Sequence, residues 1–260
     1  MKTIIQTGLI AALLTMGVST MNPSPVLASE DDGGWKFIAA PYLWAMSIDG
    51  DVTIGNRTAD FTIDFVDDIL SELDFAALGH LEVQKGRWGL FFDNVYSDIS
   101  AKEQTALGEV KLDNSLFIME LGAIWRIMDW SGDTSQEPSG VFELIGGARY
   151  WHIENEISVS NIEIREKTAD WTDPFIGARM LIPLSERLML TLRGDVGGFG
   201  VGSDFTWNVV GLLGYEFTEM ISAWAGYRAI GVEFEEGDGI NRYEIDATFH
   251  GPMIGAMFRF

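Results

Sequence analysis

Leu116-Phe117-Ile118-Met119-Glu120-Leu121-Gly122-Ala123-Ile124-Trp125-Arg126-Ile127 is the stretch that decides the fold. Successive side chains of a strand point to opposite faces. One face here carries Phe117, Met119, Leu121, Ala123, Trp125 and Ile127; the other carries Ile118, Glu120, Gly122, Ile124 and Arg126. A soluble sheet also alternates, with its apolar face inward and a wet face opposite. The polar face here is not rich in Lys, Thr and Ser. It mixes glycine with single charges, which suits a crowded, narrow interior. The apolar face then belongs outside, against lipid.

The same unit recurs along the chain: about ten alternating residues and a turn, the length of a tilted strand crossing a hydrocarbon layer. Ten strands are predicted, over Trp35–Met46, Phe75–Gln84, Gly89–Asp98, Leu116–Ile127, Val141–Ile153, Thr172–Ile182, Leu188–Phe199, Phe205–Phe217, Ile221–Phe234 and Arg242–Phe260. Eight or twelve are the alternatives. The fold class read from this is all-β, a closed antiparallel up-and-down transmembrane β-barrel. An even strand number puts both termini on one side, the inner one.

In that orientation Trp88, Trp125, Phe142, Phe217, Phe258 and Phe260 fall at the inner rim, and Tyr96, Tyr150, Trp171, Trp207 and Tyr227 at the outer rim. Two aromatic girdles around an aliphatic band are what a bilayer selects. The segments Ser47–Asp74, Ile99–Ser115, Glu154–Trp171 and Glu235–Asn241 are expected as outer loops, with a short amphipathic helix over Asp64–Leu73 in the first. Residues Gly197–Gly202 are read as a tight outer turn, because no helix follows to make a phosphate cradle.

Lys2, the apolar run Leu9–Val18 and Val26-Leu27-Ala28 have the pattern of a secretory signal peptide, so residues 1–28 are expected to be removed and 29–260 to form the barrel domain. The net charge of −22 argues against nucleic acid as a partner, since a phosphate backbone needs a basic face. The chain has no cysteine, which removes disulfides and thiolate chemistry from consideration.

The end of the chain, Gly255-Ala256-Met257-Phe258-Arg259-Phe260, resembles the C-terminal signal read by the outer-membrane barrel assembly machinery, with Gly255, Phe258 and Phe260 at its key positions. Met253 departs from that pattern, where a polar residue is usual. Pro41-Tyr42-Leu43-Trp44-Ala45, Gly86-Arg87-Trp88-Gly89, Gly194–Phe199 and Gly226-Tyr227-Arg228 are similar to stretches of a large group of Gram-negative outer-membrane β-barrel proteins. The resemblance implies the barrel fold and the outer membrane. It carries no activity and no functional residue.

Eleven charges are placed inward by the alternation: Glu82, Asp93, Glu120, Arg126, Glu143, Arg149, Asp173, Arg179, Arg193, Asp195 and Arg228. Charges in a low-dielectric interior pair with one another. A salt-bridged, largely filled lumen is therefore expected, with Trp151, Phe175, Leu212, Trp224, Met253 and Met257 also pointing in. The function this supports is a structural or interaction role with loops presented outward. A narrow porin-like channel is the alternative, and a rim hydrolase or acyltransferase comes third.

Three histidines bear on the enzyme reading. His80 lies beside Glu82 on the polar face, His152 faces lipid near the outer rim, and His250 lies near Asp246. No serine has a nucleophile-like context and no two-histidine metal spacing occurs, so no catalytic residue, metal or cofactor is expected. Expected partners are outer-membrane lipid, lipopolysaccharide and the assembly machinery.

Overall fold

A computed structural model describes residues 34–63, 65, 73–105, 108–130, 140–159, 162–239 and 242–260. The expected signal segment, 1–28, and residues 131–139 lie outside the described residues, as do residues 64 and 66–72 of the expected helix. Leu73, at the helix's expected end, already opens a strand.

The elements in chain order are β1 (Trp35–Trp44), β2 (Ser47–Ile54), β3 (Arg57–Ile63), β4 (Leu73–Lys85), β5 (Trp88–Thr105), β6 (Gly108–Trp130), β7 (Gly140–Val159), β8 (Ile162–Pro183), β9 (Leu188–Gly198), β10 (Phe205–Glu216), β11 (Ile221–Glu236) and β12 (Tyr243–Arg259). Each strand from β4 to β12 pairs antiparallel with the next, and β1 pairs with both β4 and β12, which closes the sheet. β1 and β2 lie end to end on the same neighbour, β12, and act as one barrel strand. β3 folds back on β2 above β4, so β3 and β4 together occupy the second position. The result is a ten-stranded closed barrel.

Pairing followed once around the barrel, from Phe37 through Val83, Leu90, Ala123, Gly146, Ile176, Val196, Trp207, Gly231 and Thr248, returns at Asp49, twelve residues further along the first strand. Ten strands with that stagger incline at about 40° around a backbone cylinder of about 10 Å radius. Each residue then adds about 2.5 Å of height.

The outer face is apolar over the lower part of the wall. Leu43, Leu81, Leu121, Ile176, Val209 and Ile254 are between 53% and 67% exposed. Trp35, Trp88, Trp125, Tyr215 and Phe217 mark its lower edge, and Tyr96, Tyr150 and Trp207 its upper edge. Eight residues separate Trp88 from Tyr96 on β5 and Trp207 from Tyr215 on β10, or about 20 Å between backbone levels, close to the height of a lipid-facing band once the rings' own reach is added.

Above that band the polarity turns inside out. On β12, Ile254 faces out while Met253 faces the lumen; seven to nine residues nearer the strand's outer end, Asp246 is outside and Ile245 and Ala247 are buried inside. On β11, Tyr227 is outside and Arg228 inside, then Glu233 is outside and Ile230, Val232 and Phe234 inside. The pleat keeps its parity throughout. The surrounding solvent changes, from hydrocarbon to water, and each face changes chemistry with it.

This reversal explains where the expected strand ends fall short. The predicted outer loops Ile99–Ser115 and Glu154–Trp171 are mostly strand: β5 and β6 stay paired to Thr105 and Gly108, and β7 and β8 to Val159 and Ile162. Ser47–Asp74 holds the β2–β3 hairpin. Their sequences carry no continuous alternating apolar stripe, so nothing in them marks the strands of a lipid-facing wall. Trp171 is also corrected: it is not part of the outer girdle. It faces the lumen, stacked between Trp151 and Phe234 with ring centroids 5.7 and 4.1 Å away.

Candidate functional site: a filled lumen

The lower lumen holds two joined clusters of charge. In the upper one, Glu120 on β6 is the hub. Its Oε1 accepts from Arg149 Nε on β7 at 3.0 Å and from Arg228 Nη2 on β11 at 3.0 Å. Its Oε2 accepts from Arg193 Nη2 on β9 at 2.7 Å. Asp195 accepts from Arg149 (2.6 Å), Arg193 (2.9 Å) and Asn208 (2.8 Å). Arg228 also donates to Asp93 (3.1 Å) and to Asn208 Oδ1 (3.0 Å). The Tyr42 hydroxyl donates to Asp93 at 3.0 Å.

In the lower cluster the guanidinium of Arg179 holds Glu82 with two hydrogen bonds, 2.7 and 2.9 Å, and Glu143 with a third at 2.7 Å. Arg126 lies 3.8 Å from Glu143. His80 joins the clusters, with Nδ1 3.3 Å from Asp93 and Nε2 3.2 Å from Glu82. The charges balance: Glu82, Asp93, Glu120, Glu143 and Asp195 against Arg126, Arg149, Arg179, Arg193 and Arg228. Removing two ions from water costs several kcal/mol each, offset only where geometry and further hydrogen bonds are good. Aromatic faces add to this, with Arg193 over Phe91 and Arg149 over Phe175, both at 5.1 Å, and Arg228 over Trp44 at 5.1 Å.

Asp173 stands apart from this network. It accepts from the Trp171 indole at 3.1 Å and from the Ser203 backbone N–H at 2.7 Å. It therefore fastens the outer turn between β9 and β10, where Gly198, Phe199 and Gly200 all have positive φ. Phe199 in that region is strained, since a bulky side chain crowds the backbone there.

Above the ions the lumen is filled by apolar side chains. Ile118, Trp151, Trp171, Ile230, Val232, Phe234 and Phe249 form one buried cluster with its neighbours. Trp151 is 0% exposed and Arg149 beneath it is 0% exposed. The side chains of Arg193, Arg179, His80 and Arg126 are 12%, 14%, 20% and 28% exposed, while Glu82 and Glu143 among them stay at 2%. The lumen is stoppered toward its outer side by apolar side chains, with its partly exposed cations below them.

The remaining singled-out residues lie elsewhere. His152 and His250 are on the outer surface. His250 Nδ1 lies 2.7 Å from the Tyr227 hydroxyl, and its Nε2 2.6 Å from Asp49. The hydrogen bond from His250, and after it one from Thr62, hold the Asp49 carboxyl below its usual value. Two strands form a row with it: Asp51 faces Asp60 on β3 and Asp246 on β12. The hydrogen bond with Asp60, then burial and the surrounding negative charge, pushes the Asp51 carboxyl up. Gly255 packs beneath the Trp224 ring, Phe258 pairs with Ala39 and with Ile221, and Phe260 exchanges backbone hydrogen bonds with Phe37 at 2.9 and 3.1 Å. The alternation puts Asn208 on the same inward face as the charges, but the sequence reading did not single out Tyr42 and Thr206, which with Asn208 complete their hydrogen bonding; an inward parity beside lipid-facing Leu43 and Trp207 was the available signal.

No family model matches the chain, and no curated protein matches it. Among solved structures, the outer membrane protease OmpT from Escherichia coli superposes with a TM-score of 0.59 at 8% identity, over 90% of this chain and 100% of that one. Ail, the attachment invasion locus protein of Yersinia pestis, gives 0.39 at 10% identity, over 87% and 99%. The translocator domain of the autotransporter NalP from Neisseria meningitidis gives 0.38 at 15%, over 90% and 91%. Identities this low speak to fold alone, and the first superposition carries it: the chain has the fold of a Gram-negative outer-membrane β-barrel.

Proposed function

We propose that the protein is a non-conducting outer-membrane barrel with a structural or interaction role, exported by the signal in residues 1–28 and inserted by the barrel assembly machinery through Gly255, Phe258 and Phe260. Its lumen charges act as an internal brace. The wall above the outer leaflet, acidic outside and apolar inside, is the part presented to partners. The observation that supports this most is the apolar stopper, Trp151, Trp171 and Phe234, seated directly above a fully buried Arg149. The test is conductance of the purified barrel in planar bilayers. The expected result is no steady current; stable nanosiemens-scale channels would overturn it.

A narrow channel is the second reading, and the partial exposure of the His80 and Arg126 side chains favours it. It requires the Trp151–Trp171–Phe234 stack to part. Enlarged current in Trp151→Ala over a measurable wild-type current would support this reading against the first.

A further inference from the structure

Tyr227 on β11, His250 on β12 and Asp49 on β2 form a continuous chain of hydrogen bonds on the outside of the wall. The Tyr227 hydroxyl lies 2.7 Å from His250 Nδ1, and His250 Nε2 lies 2.6 Å from Asp49. Bonds from His250 and Thr62 hold the Asp49 carboxyl below its usual value, so it is ionised at neutral pH. A carboxylate only accepts, so Nε2 carries the ring proton. Nδ1 of the neutral imidazole is then left to accept from the phenol. A hydroxyl, a base and a group that orients the base stand in line, the arrangement that activates a weak nucleophile. No serine takes part; a tyrosine fills the nucleophile's place.

The hydroxyl also stands at a chemically defined depth. The pairing path runs from Trp207 through Gly231 to Thr248, and His250 lies two residues below Thr248. The stagger of the wall therefore brings His250 level with Trp207, at the upper edge of the apolar band. Tyr227 lies lower on β11, and its ring reaches up to His250. That ring is 49% exposed, and its neighbours across the two ladders are Gly211 and Pro252, neither with a long side chain to cover it. The boundary between hydrocarbon and headgroups is where the ester carbonyls of a leaflet lie. Tyr150, at the same edge, provides the contrast. Its hydroxyl lies 3.3 Å from the Asp170 carboxylate itself, with no imidazole between them. Loss of its proton would set two anions side by side.

We propose that Tyr227 is a nucleophile toward carboxylic esters at the outer interface, with His250 as its general base and Asp49 as the residue that positions His250. Tyr227 Oη attacks the ester carbonyl carbon while His250 Nδ1 takes the phenol proton. The tetrahedral intermediate collapses, the bond to the alcohol oxygen breaks, and the alcohol leaves with that proton. The acyl group stays on Tyr227. Water, giving its proton to His250, then attacks the acyl-tyrosine; the carboxylic acid leaves and the phenol regains its proton. The sum is one ester and one water converted to one acid and one alcohol. Charge developing on the carbonyl oxygen faces interfacial water, because the hydroxyl stands at the edge of the band. The inference goes beyond the structural role proposed above. It rests on the membrane-spanning reading of the wall and is independent of whether the lumen conducts.

Treatment of the full chain in mild detergent with p-nitrophenyl butyrate, followed by peptide mass spectrometry, tests it. The butyryl group should appear on Tyr227 about tenfold or more faster than on Tyr150. Tyr227→Phe should bring p-nitrophenol release down to that of detergent alone, and His250→Gln should slow labelling of Tyr227 by about tenfold or more. Asp49→Asn can donate to Nε2 and so places the ring proton on Nδ1. Nitrogen spectra of the histidine-labelled chain should show that change of tautomer at His250, together with a several-fold loss of labelling. Diacyl phosphatidylethanolamine in mixed micelles should release fatty acid with the wild type and not with Tyr227→Phe. Equal labelling of Tyr227 and Tyr150, or labelling untouched by His250→Gln, would overturn the nucleophile. Cleavage of the aryl ester without cleavage of the phospholipid would overturn the interfacial substrate. Heat-modifiable mobility on gels shows that each variant is folded. A wild-type chain that inserts into detergent-free vesicles but takes no acyl group refutes this site alone, and one that does not insert refutes the membrane reading too.

Discussion

Arg228 on β11 and Glu120 on β6 meet across the lumen, Nη2 to Oε1 at 3.0 Å. They lie 108 residues apart and on strands that are not neighbours. Glu120 is held by Arg149 and Arg193 as well, so one carboxylate neutralises part of three buried cations. Glu120→Ala would leave those cations short of a partner. Breaking a buried ion pair from one side costs about 3–5 kcal/mol. The expected outcome is a lower denaturant midpoint for the micelle-bound barrel, read by tryptophan fluorescence. A midpoint like that of wild type would remove the brace from the lumen.

Trp171 fixes the stopper through its rings and its indole bond to Asp173. Trp171→Ala opens a cavity and strands an acceptor. Truncation of a large buried aromatic costs about 3–5 kcal/mol. Hydrogen exchange should accelerate in the outer halves of β8 and β11 and stay slow around Leu121.

The reversal of polarity predicts opposite tolerance along one wall. Leu121→Arg places a charge near the middle of the apolar band and should destabilise the barrel by about 2–4 kcal/mol. Asp246→Arg, on the same face above the band, should change stability by no more than about 0.5 kcal/mol. Refolding titrations into lipid vesicles measure both. Equal effects would mean that the band does not end where the outside turns acidic.

Asp51, Asp60 and Asp246 face one another across three strands. Asp51 has a raised folded-state pKa, so its contribution to the β2–β3 hairpin is fully present below the ordinary carboxylate value and fades as pH rises through the folded value. Asp49 has a lowered one and behaves oppositely: its contribution is present above the ordinary value and is lost on acidification. Amide exchange in residues 47–63 should slow at neutral pH in Asp51→Asn and quicken in Asp49→Asn.

The alternation around Glu120 and Leu121 was readable in the sequence because lipid demands an unbroken apolar stripe. The extent of β5 to β8 was not readable, because above the bilayer a strand looks like any soluble, half-polar segment. Trp171 shows the same ambiguity: an aromatic near a rim can face either side, and only its place between Trp151 and Phe234 fixes which. Which acid meets which base depends on the twelve-residue stagger and on side-chain reach, so Arg228 and Glu120 could be assigned to the lumen but not to each other.

β12 touches β11 along one side and both β1 and β2 along the other. β12 is thus the seam of the sheet, the strand through which β11 meets β1 and β2. Without β12 the sheet would expose two unpaired borders, on β11 and on β1 with β2, the template on which strands of other molecules add. Pairing along the seventeen residues of β12 therefore does more than add a strand: it removes both borders at once.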